Sequence, residues 1–226
     1  MRAQLSGFRP LVCMFAVMLS TWGQSAELTM DILDDHSEPL ANAVVALVPE
    51  QKPDFSEPLG ATMDQRGVKF SPKVLAVRTN TQVEFLNNDP IFHHVYSFSP
   101  AKRFELGLKK GERSEPVLFD QPGEVVLGCK IHDGMLAYIY VLDTEWFGVT
   151  GRNGRVKLTE IPTGEYELVV RHPRLEEPVG EVLDLSSDAK VRRRFMLPEL
   201  EPDPFSSASA SASEQESDGV QRLLTR

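Results

Sequence analysis

An all-β fold is what this sequence predicts, and three observations carry the expectation. Apolar residues recur with a period of two in many short runs. Those runs are separated by Gly, Pro, Asn and Asp turns at the spacing of a sandwich or barrel. No stretch sustains a helical period.

The chain opens as an export signal. Arg2 and Arg9 form a basic start, residues 10 to 22 are mostly apolar, and Gly23, Ser25 and Ala26 supply small residues for cleavage after Ser25 or Ala26. The apolar run is too short to span a bilayer comfortably, and no later segment is long enough. Residues 1–25 are therefore expected to be a signal peptide, the protein periplasmic, with no stable membrane insertion after cleavage.

Leu28, Met30 and Ile32 alternate with polar neighbours, residues 34–39 are turn chemistry, and the run from Ala43 to Val48 suits a strand covered on both sides. Two strands alone are not stable in water, so this pair must join others. After a proline-bearing connector, a second set starts near residue 60. It comprises Val74–Val77, Val83 and Phe85, His93–Phe98, Val117–Phe119, a strand with Val125, Leu127 and Cys129 on one face, and one in which Ala137, Ile139 and Val141 alternate with Tyr138 and Tyr140. Residues 100–111 read as a basic, irregular connection and 144–151 as a junction holding Trp146 and Phe147. Four strands follow, at 155–158, 166–171, 181–185 and 191–197; in the last, Arg193 falls on the side of Val191 and Phe195. The Pro-, Ser- and Ala-rich segment 198–226 cannot bury a core and is expected to be disordered.

The orphan strands at the start and the few at the end suggest a discontinuous sandwich, 26–55 with 144–197, into which a domain at 60–143 is inserted. A serial layout is the alternative.

Cleavage would leave 22 basic against 33 acidic residues, a net charge of −11, which argues against nucleic acid as a partner. It would also leave Cys129 as the only cysteine, so no intrachain disulfide can form. A solitary thiol in an oxidising compartment is a liability unless buried or bound to metal. Haem attachment is excluded, because Cys129-Lys130-Ile131-His132 lacks a second cysteine.

Cys129-x2-His132-x2-Met135 places a thiol, an imidazole and a thioether directly after a strand, and His93 or His94 offers another imidazole about 36 residues earlier. One thiolate, two imidazoles and a weak thioether are the ligand set that selects copper for one-electron transfer. Zinc is the rival metal, although Met is a poor ligand for it. A copper oxidase would need further histidine clusters, and the chain has five histidines in all. A Cys–His nucleophile lacks any sign of an oxyanion hole. Adjacent strand residues face opposite ways, so only one of His93 and His94 easily reaches the site. His36 and His172 have no such partners and are assigned to the surface.

Two resemblances add to this. Thr29 to Val48, with Arg152–Leu158 and Ile161–Leu168, is similar to the two halves of carboxypeptidase-regulatory-like (transthyretin-like) domains, which implies a non-catalytic β-module. Asn87-Asn88 five residues before His93, Val83-Glu84-Phe85, and Gly128-Cys129-x2-His132-x2-Met135 resemble the plastocyanin- and amicyanin-like cupredoxins, and the chain is most similar to cupredoxin-like proteins associated with methylamine utilisation. The resemblance implies a Greek-key sandwich holding one blue (type 1) copper ion on His93, Cys129, His132 and Met135. Such a site needs hydrogen bonds behind its ligands, and Asn88 and Gly128 are the candidates to supply them. The leading expectation is electron transfer without catalysis, with Pro90, Ile91, Phe92, Ile131, Met135 and Leu136 offering an apolar rim for transient docking of a c-type cytochrome or dehydrogenase. Lys102, Arg103, Lys109 and Lys110 form either a steering patch or a solvated loop. A copper carrier or sensor, or a structural module with an empty site, are the alternatives.

Overall fold

The computed structural model describes residues 25–186 and 190–203. The expected signal peptide, apart from Ser25, and tail residues 204–226 lie outside them. The strands are β1 (Ser25–Leu33), β2 (Val44–Pro49), β3 (Leu59–Gln65), β4 (Phe70–Ser71), β5 (Val74–Arg78), β6 (Thr81–Asn87), β7 (His93–Ser97) and β8 (Phe104–Leu108). They continue as β9 (Val117–Phe119), β10 (Gly123–Cys129), β11 (Leu136–Leu142), β12 (Trp146–Val149), β13 (Arg155–Pro162), β14 (Glu165–Arg171), β15 (Val179–Asp184) and β16 (Lys190–Met196). The fold is all-β, with no helix among the described residues.

Period-two alternation gives each strand one apolar face, and four sheets bury those faces in pairs. The sheet β13-β1-β16 lies over β12-β2-β14-β15, around a core that includes Leu28, Met30, Ile32, Leu47 and Leu168. The sheet β4-β3-β6-β9 lies over β5-β11-β10-β7-β8, around a core that includes Met63, Phe85, Phe119, Leu127 and Ile139. Strands from both ends of the chain thus share the first pair of sheets, and the second pair is built from residues between β2 and β12.

The two sandwiches meet at a third apolar layer, where Val44 and Ala46 pack with Val74, Tyr138, Tyr140 and Leu142. This explains why β11 is apolar on both faces: Ala137, Ile139 and Val141 enter one core while its tyrosines face the neighbouring sandwich. Burial, with the Glu124 carboxylate adding to it, holds the Tyr138 and Tyr140 phenols above their ordinary range. Both therefore stay neutral at that junction.

Several local expectations are corrected. Phe104–Leu108, read as an irregular connection, is strand β8 at a sheet edge, paired with β7. The 144–151 junction contains β12, which pairs with β2 and places Trp146 edge-on to Tyr166 at 5.6 Å. His172 is buried rather than at the surface. Of the tail, residues 198–203 are described, and Leu200 packs into the first core. Ala26, one of the two expected cleavage points, is buried in β1 opposite Ile161. Arg193 does align with Met30 on the apolar side of β16, but that strand is a sheet edge and the side chain is exposed. A charge there discourages a further strand from adding.

Thr150 ties the end of β12 to the turn before β2. Its buried hydroxyl donates to the Leu40 carbonyl (2.7 Å) and accepts from the Ala43 N–H (2.9 Å). Thr150→Val keeps the shape and leaves both backbone groups without that partner. A loss of about 1–3 kcal/mol is expected, read as a lowered urea midpoint with unchanged m-value.

Candidate metal centre

Cys129 is the last residue of β10, and the register of that strand decides what it faces. Antiparallel pairing sets Cys129 against Val95 and Gly128 against Tyr96. His93 is two residues from Val95, so it projects to the same, core-facing side as Cys129. His94 projects to the other side, where its Nε2 lies 3.1 Å from Glu105, itself paired with Lys130 at 2.6 Å.

The geometry at the strand ends is compact. The Cys129 thiol lies 3.9 Å from His93 Nδ1 and 3.6 Å from His132 Nδ1. The imidazole rings of His93 and His132 stand 4.8 Å apart, inclined by 60°. One donor atom each from His93, Cys129 and His132 lies within 4.8 Å of the others. Cys129 is a free, buried thiol and His93 is fully buried, while His132 is partly open to solvent. Met135 is buried in the same core cluster as Cys129, and its N–H donates to the His132 carbonyl.

Local chemistry explains this loop. β10 ends at Cys129, and the chain must reverse within six residues to re-enter the sheet as β11. Gly134, at φ +73°, supplies the left-handed residue of that reversal. Gly128 is needed for a different reason: a Cβ there would lie 2.7 Å from the Tyr96 ring. The glycine lets Tyr96 lie across the backbone next to the thiol.

The support for His93 differs from the sequence expectation. Asn88 is exposed, and its side chain donates to Asp64 (2.7 Å) rather than turning to the site. Its neighbour Asn87 is the buried one. Asn87 Nδ2 donates to the carbonyls of Ile91 (2.8 Å) and Leu108 (2.9 Å), and its Oδ1 accepts from the Asp89 N–H (2.9 Å). Asp89 is the residue that sequence reasoning missed. Its buried carboxylate lies 2.7 Å from His93 Nε2 and also accepts the backbone N–H groups of Gly67 and Val68. Burial alone would raise the Asp89 carboxyl, but the Val68 N–H, the His93 imidazole and the Gly67 N–H outweigh it and hold it below its ordinary range. The position of Asp89 four residues before His93 was the available signal.

No protein-family model matches the chain, and no curated protein matches it. Among solved structures, it is similar to the novel purple cupredoxin from Nitrosopumilus maritimus, with 22% identity over 36% of this chain and 99% of that one (TM-score 0.32). It is also similar to the Cu-containing nitrite reductase from Thermus scotoductus SA-01, with 28% identity over 50% of this chain and 28% of that one (TM-score 0.36). The reduced state of an amicyanin mutant matches at 18% identity over 43% of this chain and 98% of that one (TM-score 0.33). At these scores the chemistry of the site rests on its own geometry.

That geometry suits a soft metal ion. A buried thiol without a disulfide partner becomes a strong ligand once deprotonated, and two imidazole nitrogens already face it. His132 is partly open to solvent, and Ile91, Phe92 and Ile131 are 40%, 44% and 52% exposed, whereas Met135 is buried and forms no part of an outer rim. Lys102 pairs with Asp120 at 3.6 Å, and Lys109 and Lys110 are exposed.

Proposed function

We propose that this chain is an exported, periplasmic blue copper protein that carries single electrons between redox proteins. His93, Cys129, His132 and Met135 hold the metal in this reading, and residues 60–143 are a cupredoxin domain inserted in a carboxypeptidase-regulatory-like sandwich. The observation that carries it is the buried Cys129 thiol faced by the Nδ1 atoms of His93 and His132.

Copper, when bound, supplies a one-electron couple. The residues supply the rest. β7 and β10 are rigid strands in one sheet, so His93 and Cys129 cannot move apart when charge changes. The 129–135 loop brings His132 back over the thiol. Cys129 sits in the apolar core and His93 is fully buried, which keeps bulk water from both. His132 alone reaches partly to solvent, and the exposed Ile91, Phe92 and Ile131 suit weak, transient docking of a cytochrome or dehydrogenase. A carrier rather than an enzyme is favoured by the placement of the other histidines. His36 is on a surface turn, His94 pairs with Glu105, and His172 is buried in the other sandwich, so none is free to build a second metal cluster beside the first.

The test is addition of Cu(II) to the purified protein. An intense visible thiolate-to-copper band is expected, abolished in Cys129→Ser and retained in His94→Ala. Absence of the band in the wild-type protein would sink the copper reading, and its loss in His94→Ala would sink the choice of His93. Reversible cycling without metal loss is expected of an electron carrier, and metal loss on reduction of a copper carrier.

A further inference from the structure

The carboxylate behind His93 is unusual in how firmly it is held. Asp89 is buried, with Oδ1 receiving the Gly67 N–H and Oδ2 receiving both the Val68 N–H (2.9 Å) and the His93 ring nitrogen (2.7 Å). Its own N–H is fixed by Asn87. Gly67 and Val68 belong to the short turn between β3 and β4, closed by the Arg66 N–H on the Lys69 carbonyl. Val68 adopts φ +56°, a conformation that costs a β-branched residue on the order of 1–3 kcal/mol elsewhere. Strain of this kind persists where surrounding contacts over-determine it, and here the strained residue aims its N–H at Asp89.

With both carboxylate oxygens accepting, the nitrogen facing Asp89 must be the one that carries hydrogen. His93 is thereby set with Nε2–H toward Asp89 and a bare Nδ1 toward Cys129. A full negative charge behind a ligating imidazole also strengthens that imidazole as a donor. We propose that Asp89, clamped by the β3–β4 turn, is a positioning residue that orients His93 for the metal and biases the site toward Cu(II) over Cu(I). The bias rests on the copper reading above; the orientation does not.

Two measurements separate these. In metal-free wild-type protein, the imidazole nitrogen NMR signals of His93 at neutral pH are expected to show hydrogen on Nε2, and hydrogen on Nδ1 would overturn the orientation. This needs neither copper nor a variant. In copper-loaded Asp89→Asn, the Cu(II)/Cu(I) ratio at a fixed ambient potential is expected to fall at least tenfold, about +59 mV for a one-electron couple. Cu(II) affinity is expected to fall roughly 10–100-fold. A variant that binds copper with unchanged affinity and potential would overturn the bias while leaving the copper reading intact. Lack of the wild-type band would instead remove the copper reading, and the bias with it, without touching the NMR result.

Discussion

Phe85→Ala is expected to cost about 3–5 kcal/mol of stability, the range for emptying a buried aromatic site. Phe85 lies on β6 and is fully buried. Its ring packs 5.3 Å from that of Phe104, which in turn meets Phe119 edge-on at 6.1 Å. The three rings come from β6, β8 and β9, that is, from both sheets of the sandwich that holds Cys129. Strands pinned by backbone hydrogen bonds cannot close in on the missing ring, so the cavity persists. Thermal and urea unfolding of the metal-free protein would read the loss. A cost below about 1 kcal/mol would mean that this core collapses around the gap, against the rigid packing described here. Cys129 and Met135 belong to the same cluster, so earlier metal release on heating should accompany the loss.

The second large effect is a fall in stability between neutral pH and pH 4, traced to His172. Burial is the main cause that pushes its imidazole down to about 4, and the charge of Arg174 adds to it, while the hydrogen bond to the Ala41 carbonyl and the Asp203 carboxylate oppose it. The ring is held neutral, with Nδ1 accepting the Arg174 N–H (3.1 Å) and Nε2 facing the Ala41 carbonyl (3.2 Å). An unfolded histidine titrates near pH 6.5. Above that pH neither state binds the proton and stability is flat in this group. As pH falls from about 6.5 toward 4, the unfolded chain takes up a proton that the folded one refuses, so stability is lost with acidification. Below about 4 both states carry it and the loss is complete, at roughly 3 kcal/mol. His172→Gln removes the titration. The difference between wild-type and variant unfolding free energies should change with pH across that window and nowhere else. Parallel curves would assign the acid sensitivity to other groups.

Much of the fold was legible because alternation is a property of the strand itself. Where one face was apolar and turns were marked by Pro, Gly or Asn, the strands stood out, as for residues 123–129 and 136–142. Four strands escaped: Leu59–Gln65, which lacks a clean alternation, the two-residue Phe70–Ser71, Phe104–Leu108 and Trp146–Val149. Phe104–Leu108 is interrupted by Gly107, which stands there because the Phe92 ring lies where its side chain would be. Trp146–Val149 is four residues long and takes its identity from pairing with β2, about a hundred residues away. His172 looked like a surface histidine because nothing near it in sequence announces the Ala41 carbonyl that receives it.

The sequence by itself determined the all-β class and the short spacing that ties Cys129 to His132 and Met135, because these depend on composition and on neighbours a few residues apart. Only the tertiary structure decided which imidazole meets the thiol and what stands behind it. Parity across the β7–β10 pairing turns His93 inward and His94 outward, and the return of the β3–β4 turn brings two N–H groups onto Asp89. Strand register and long-range hydrogen bonding are settled by which faces must be buried together. Local pattern does not encode that choice.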